Sequence, residues 1–387
     1  MKPLRIGINA LYLIPGGVGG TEIYLRNLLK ALANLDPHNL YFVFTNRETD
    51  ESLVPSARNF QQVCQQVRGS NRPARLLWEQ IQLPLRASSL QLDCMLNPGF
   101  TAPFLNSCPN VTVFHDLQHK RHPEYFRWFD RPAWDLFLWL AVQRSHTLLA
   151  DSEATRSDLV HFYKVPANRI RVVSLGVEEE FFSIAERRGA VEPYLLCAST
   201  LHPHKNIERL VSVFARFRET YPDFQLILAG LKGFRSAAIE ALIASLGLQS
   251  HVRVTGWIPR AELYNLFQHA TAAVYPSTFE GFGLPVIEAM AAGVPLACSD
   301  IEPLRSITAG TAVRFAPDSE EEMLAALLRI VTDQSLVPAA RARAAQFTWR
   351  QCAEDTLAAL RTAATGVDLS IGPKGPKGCM LVGACRP

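Results

Sequence analysis

Short β-rich apolar runs alternate with longer stretches of helical periodicity along almost the whole chain. Apolar runs of four to seven residues read as strands buried on both faces, and their alternation with helices predicts an α/β architecture of parallel sheets between helical layers. In the first half the predicted strands are 4–10 (LRIGINA), 40–45 (LYFVFT), 92–96 (LDCML), 111–115 (VTVFH), 147–150 (TLLA) and 170–174 (IRVVS). The rhythm restarts with 194–199 (YLLCAS), 224–230 (FQLILAG), 252–256 (VRVTG), 272–277 (AAVYPS), 295–299 (PLACS) and 312–315 (AVRF). Two Rossmann-like, doubly wound sheets follow, and ligands are expected in the cleft between them, outside the carboxyl ends of the strands.

The stretch 175–193, LGVEEEFFSIAERRGAVEP, is charged and lacks sustained periodicity, which marks a linker. The predicted division is an N-terminal domain over 1–175, a linker over 176–193, a C-terminal domain over 194–346, a helix over 347–364 and a tail over 365–387. Two Gly-Pro-Lys units in the tail are too few for a collagen helix and predict disorder. No fixed-period repeat is present.

Composition narrows the class. A chain of 387 residues is too long for one ordinary core, and 48% hydrophobic with 19% charged residues is globular. The net charge of +3 gives no argument for nucleic-acid binding, although it permits weak attraction to an anionic surface. The first residues read as a buried strand running into a glycine-rich loop, not as a signal peptide. The most apolar later stretch, 134–142, is about half of the ~20 residues that a membrane span needs. Eight scattered cysteines without a C-x-x-C pair fit reduced thiols and a cytoplasmic location. The aromatic and basic segment 119–146 could touch an acceptor or a membrane surface, but its apolar spacing favours a packed helix.

The densest chemistry lies in FEGFGLPVIEAMAAGVP, residues 279–295. A strand runs into the loop TFEGFG, Pro285 suits a first helical turn, and Gly293 and Pro295 end the helix, so a short helix is predicted over about 285–292. The free amides around Phe282, Gly283 and Leu284 then face the cleft with the helix dipole behind them, which suits phosphate. Glu280 stands just before that anion site and Glu288 one turn inside the helix. Carboxylates repel phosphate, so their partners are hydroxyls flanking it, as on the two sides of a nucleotide-sugar diphosphate. Taken singly, either glutamate reads as an ordinary surface carboxylate.

With the spacing Glu280 to Glu288 and GLPVIEAMAAGVP on the page, the chain resembles the retaining nucleotide-sugar glycosyltransferases of family 4 over about residues 4–364, and especially bacterial polysaccharide mannosyltransferases. The resemblance implies a GT-B fold and transfer of a sugar, possible donors including GDP-mannose, to a glycan or lipid-linked glycan acceptor in surface polysaccharide or glycolipid synthesis. It permits peripheral membrane contact and implies no nucleic-acid partner and no cofactor. YLLCASTLHPHKN resembles the segment whose basic pair binds the donor diphosphate, here His204 and Lys205, with His204 standing where the family commonly has Arg. VTVFHDLQH resembles the segment that brings a His to the transferred sugar, which carries over to His115; Glu280 is the second catalytic assignment. PGGVGGTEIY resembles the glycine-rich loop, with Gly17, Gly19 and Gly20 against the donor; Phe282, Gly283, Leu284 and Glu288 complete the donor site. ADSEATRSDL is scaffolding, with Ser152 as a helix N-cap. Asp116, next to His115, is expected to point to the opposite face of an extended strand. No D-x-D and no zinc-like His/Cys spacing occurs, so a metal-free site is expected. Two other readings stay open: an epimerase of the same fold, and a nucleotide-sugar-binding subunit without activity.

Overall fold

The protein is described from a computed structural model over residues 2–126, 131–231, 233 and 235–366. Among the described residues, thirteen strands form two parallel sheets. The first contains β1 (Arg5–Asn9), β2 (Leu40–Thr45), β3 (Phe60–Cys64), β4 (Cys94–Asn97), β5 (Asn110–Phe114), β6 (Ser145–Ala150) and β7 (Ile170–Val172), in the order β3-β2-β1-β4-β5-β6-β7. The second contains β8 (Glu192–Ala198), β9 (Gln225–Ala229), β10 (Val252–Gly256), β11 (Ala270–Tyr275), β12 (Leu296–Ser299) and β13 (Val313–Phe315), in the order β10-β9-β8-β11-β12-β13. Every strand pair is parallel, as the fold class expected from the sequence requires.

The central strands were legible because both faces are covered: β5 is buried at all five positions and β12 at all four. β3 (FQQVC) escaped sequence reading, since it is an edge strand with only Phe60 buried and polar residues on its open side. The stretch read as a linker also holds an element, the helix Glu179–Arg187. It buries only Phe181 and Ile184, three apart, which is too short a pattern to register as periodicity.

The chain crosses between the sheets twice, side by side. Val177 forms a parallel bridge with Thr348, and its N–H donates to the Phe347 carbonyl at 3.0 Å. Beyond that crossing the helix Trp349–Thr365 returns to the first sheet and packs on the helix Gly20–Leu35, with the Tyr24 and Trp349 rings 6.3 Å apart. One apolar cluster accordingly runs from Ile6, Leu28 and Val111 through Phe181 to Ile287 and Leu357, tying both halves together. Within segment 119–146 the helix Arg131–Arg144 buries Leu138, Ala141 and Val142 and exposes Leu136 and Trp139, so one face is core as expected. Of the tail expected over 365–387, Thr365 ends the last helix and Gly366 caps it in the left-handed conformation, and the rest lies outside the described residues.

Candidate functional site

A cleft of about 530 Å³ lies between the carboxyl ends of the two sheets. Its size fits a small-molecule site. All the residues singled out from the sequence line it: Gly17, Gly19, Gly20, His115, His204, Lys205, Glu280, Phe282, Gly283, Leu284 and Glu288.

The loop that holds Glu280 and Gly283 follows β11. Gly283 has φ +113°, a conformation that glycine adopts without penalty, and from it the helix Leu284–Ala291 starts with Pro285 in its first turn. No side chain caps this N-terminus, so its leading amides remain for an anion. Lys205 Nζ lies 2.5 Å from Glu280 Oε1 and 2.9 Å from the Tyr275 hydroxyl, with both side chains of the ion pair about one tenth exposed. A lysine so held is a fixed positive point beside the helix terminus. The sequence predicts hydroxyl partners for Glu280 and does not pair it with Lys205.

His204 is not the second cation of a basic pair. Burial first, then the charges of Lys205 and neighbouring histidines, push it down to about 2, and its Nδ1 sits 2.5 Å from Gln118 Nε2. Burial and the nearby Lys205 charge both favour the neutral ring, whose Nδ1 faces the Gln118 amide.

His115 ends up buried, with both nitrogens committed. Nδ1 lies 2.7 Å from Asp151 Oδ2 and Nε2 2.9 Å from the Pro98 carbonyl. A carboxylate and a carbonyl oxygen facing the two nitrogens favour a ring that donates from both. Burial works to lower its pKa, and the charge and hydrogen bond of Asp151, with the Pro98 carbonyl, outweigh it. A ring nitrogen thus reaches a sugar only if the Pro98 bond is given up. The sign of this shift fixes a pH effect: a folded-state pKa above the unfolded value adds stability below about pH 6.5, lost as pH rises through the folded pKa. Resistance of the wild type to urea should fall as pH rises above about 6.5, and Asp151→Asn should flatten that slope. An unchanged slope in the variant would show that His115 is not charged by Asp151.

Asp116 corrects an expectation. β5 ends at Phe114, so strand alternation no longer governs residue 116, and the half-buried Asp116 lines the same cleft as His115. Desolvation pushes its carboxyl up, with Glu280 adding and the Gln118 N–H, His115 and Lys205 opposing.

Two contacts were invisible in the sequence. Ser152 caps the helix Glu153–Tyr163 as expected, but its Oγ also donates to the Gly281 carbonyl at 2.6 Å, across the cleft. A Cβ on Gly281 would collide with the His115 carbonyl oxygen and sit 2.9 Å from Asp116 Cβ. Second, Arg260 reaches Glu288 Oε1 at 2.9 Å and Glu178 Oε2 at 2.6 Å. Asp151 and Arg260 follow β6 and β10 directly or within a few residues, and charged residues at strand carboxyl ends are the signal that could have found them.

Residues 178–347 match the family described as Glycosyl transferases group 1, and residues 18–181 match Glycosyltransferase Family 4, so the two together span 18–347. The O-antigen chain mannosyltransferase B of Escherichia coli is 29% identical over 266 residues, 65% of this chain and 70% of its own. An MMP alpha-(1->4)-mannosyltransferase of Mycolicibacterium hassiacum is 30% identical over 266 residues, 64% of each chain. Among solved structures, sucrose-phosphate synthase of Thermosynechococcus elongatus superposes with TM-score 0.76 at 20% identity, covering 93% of this chain and 98% of its own. That likeness is one of fold, and the arrangement is GT-B as expected.

Proposed function

We propose that this chain, a glycosyltransferase of the group 1 and family 4 type, moves a mannosyl group from GDP-mannose to an acceptor hydroxyl in surface polysaccharide or glycolipid synthesis, with retained anomeric configuration. The observation that carries the reading is the pairing of Lys205 with Glu280 beside the Gly283-led helix terminus, with Glu288 in the same cleft. That is one cation and a row of amides for a diphosphate, flanked by two carboxylates for hydroxyls. Mannose is favoured by the mannosyltransferase relatives, and the nucleotide by the resemblance of HDLQH and STLHPHKN to bacterial mannosyltransferases.

In this reading the acceptor oxygen bonds the anomeric carbon on the face from which the diphosphate departs. The carbon–phosphate oxygen bond breaks, and the leaving diphosphate, stabilised by Lys205 and the amides near Gly283, takes the hydroxyl's proton. A double displacement needs an ionised carboxylate poised at the opposite face. Asp116 is the candidate that the fold brings into the cleft, and the desolvation that pushes its carboxyl up works against that role. The test is a screen of nucleotide sugars for binding and slow hydrolysis, then mass spectrometry of enzyme incubated with the fluorinated form of the best donor. Hydrolysis of GDP-mannose without an adduct is the expected result; a stoichiometric glycosyl adduct on Asp116 overturns the front-face route.

The acceptor side supports a peripheral membrane contact. Leu77, Ile81 and Leu85 lie four apart on the helix Arg72–Ser89, each at least 50% exposed, and the only acid of that helix, Glu79, is buried. An apolar stripe with basic residues and no exposed acid suits an anionic lipid surface. Among the described residues, no helix is long and apolar enough to cross a membrane.

A further inference from the structure

We infer that Arg260 and Glu178 are positioning residues that hold Glu288 as a singly bonded carboxylate, with an oxygen left for the hydroxyls of the donor; this rests on the reading of Glu288 as a donor ligand given above.

Glu288 is buried, and a buried carboxyl without a partner takes up a proton and loses its strongest acceptor character. Arg260 opposes that. Its guanidinium does not close on Glu288 with both arms, however. Nε (3.2 Å) and Nη2 (2.6 Å) both reach Glu178 Oε2, while Nη2 alone, at 2.9 Å, reaches Glu288 Oε1. A free Arg–carboxylate pair prefers a two-point fork that occupies both oxygens. Here Glu178 takes the forked edge, and Glu288 receives one bond.

Glu178 is itself fixed from three sides. The Tyr264 hydroxyl donates to its Oε2 at 2.5 Å, and Asn27 Nδ2, on a helix of the first sheet, donates to its Oε1 at 2.9 Å. The rings of Phe181 and Tyr264 each lie 5.3 Å from the Arg260 guanidinium carbon. The carboxylate that aims Arg260 therefore stands where the chain crosses between the sheets, and its second oxygen answers to the other half of the molecule.

The charges around Glu288 separate cleanly. Burial pushes its carboxyl up, Arg260 pulls it down and Glu178 pushes it up again. On the elements packed against its helix, the other charged groups are turned elsewhere: Arg187 pairs with Glu180, Arg305 with Asp300, and Arg343 binds the Ile307 carbonyl. Glu179 and Glu186 are exposed on the helix Glu179–Arg187, and Arg341 lies on the helix Val337–Ala344 with its Nε buried. Glu280 and Lys205 form their own pair across the proposed diphosphate site.

The experiment is calorimetric titration of GDP-mannose and UDP-glucose into the full chain across pH, for wild type, Glu288→Gln, Arg260→Met, Arg260→Lys and Glu178→Gln. In Arg260→Met the pH below which affinity falls should move up by about one unit, equivalent to roughly tenfold weaker binding near the wild-type onset, and Arg260→Lys should restore much of it. Glu178→Gln should act with the opposite sign on the onset, moving it down, while weakening affinity several-fold at all pH because the freed fork closes on Glu288. A role confined to folding moves neither onset. Glu288→Gln that binds like wild type would sink the donor-ligand reading itself. Glu288→Gln that weakens binding, together with an Arg260→Met onset equal to wild type, would overturn only the inference. If Arg260→Met does not fold, Glu178→Gln decides: an onset at or above the wild-type value overturns the proposal.

Discussion

Replacing Gly281 by alanine is expected to lower transfer by about 100-fold or more while donor affinity changes little. Gly281 is where the donor loop of the second sheet meets the strand ends of the first. Its carbonyl accepts from Ser152 Oγ at 2.6 Å and from Thr155 Oγ1 at 3.3 Å, and its Cα faces the His115 carbonyl so closely that a methyl group has no room. The obstacle is backbone, so no side-chain rotation relieves it, and the loop must withdraw from the first half of the molecule. A displacement of about 1 Å between reacting groups costs on the order of 100-fold in rate. The contacts proposed for the donor, Lys205, Glu280 and the helix terminus, lie on the second half and would move together. Ser152→Ala removes one hydrogen bond and adds no bulk, so its effect on rate should be nearer fivefold, with about 1 kcal/mol lost in stability from the missing cap. Transfer kinetics beside donor titration for both variants test this. Wild-type turnover in Gly281→Ala would mean that the contact between donor loop and His115 has no part in the reactive geometry.

Lys205→Met should be the most damaging single change, with kcat/KM falling by roughly 1000-fold and stability by about 3 kcal/mol. Two losses combine. The side chains of Lys205 and Glu280 are about one tenth exposed, and removing the lysine leaves the Glu280 carboxylate desolvated without its counter-charge. In the proposed reaction the same ammonium faces the departing diphosphate, where an unopposed carboxylate would now repel it. The losses separate in a double variant. Lys205→Met with Glu280→Gln removes both charges and should recover most of the stability, yet transfer should stay at or below the level of the single variant. Unfolding curves and transfer rates of the three proteins provide the check. Recovery of activity in the double variant would show that Lys205 serves Glu280 and not the donor.

The sequence by itself determined the two-sheet α/β fold and one side of the cleft, because both are written in local signals. Parallel strands covered on two faces are largely apolar runs, and β2 (LYFVFT) and β9 (QLILA) are nearly continuous ones. The helix after β11 is announced within a dozen residues by Gly283, Pro285 and Gly293, and its observed bounds, Leu284–Ala291, differ by one residue from the reading. Family resemblance placed Lys205 and His115 in that cleft. What these residues bond to was decided by tertiary structure alone. His115 meets Asp151 across 36 residues of chain, Ser152 meets Gly281 across 129, and Arg260 joins Glu288 and Glu178 across 28 and 82. No propensity or period encodes such pairs, since nothing local to one partner marks the other. The misplaced expectations have the same origin. His204 reads as basic beside Lys205, and only the crowded, desolvated cleft makes it neutral. Asp116 reads as strand, and only the end of β5 at Phe114 turns it into the site. The folded chain sets the charge state of His204 because desolvation and neighbouring charge act through space, and both are fixed once the two sheets close on each other.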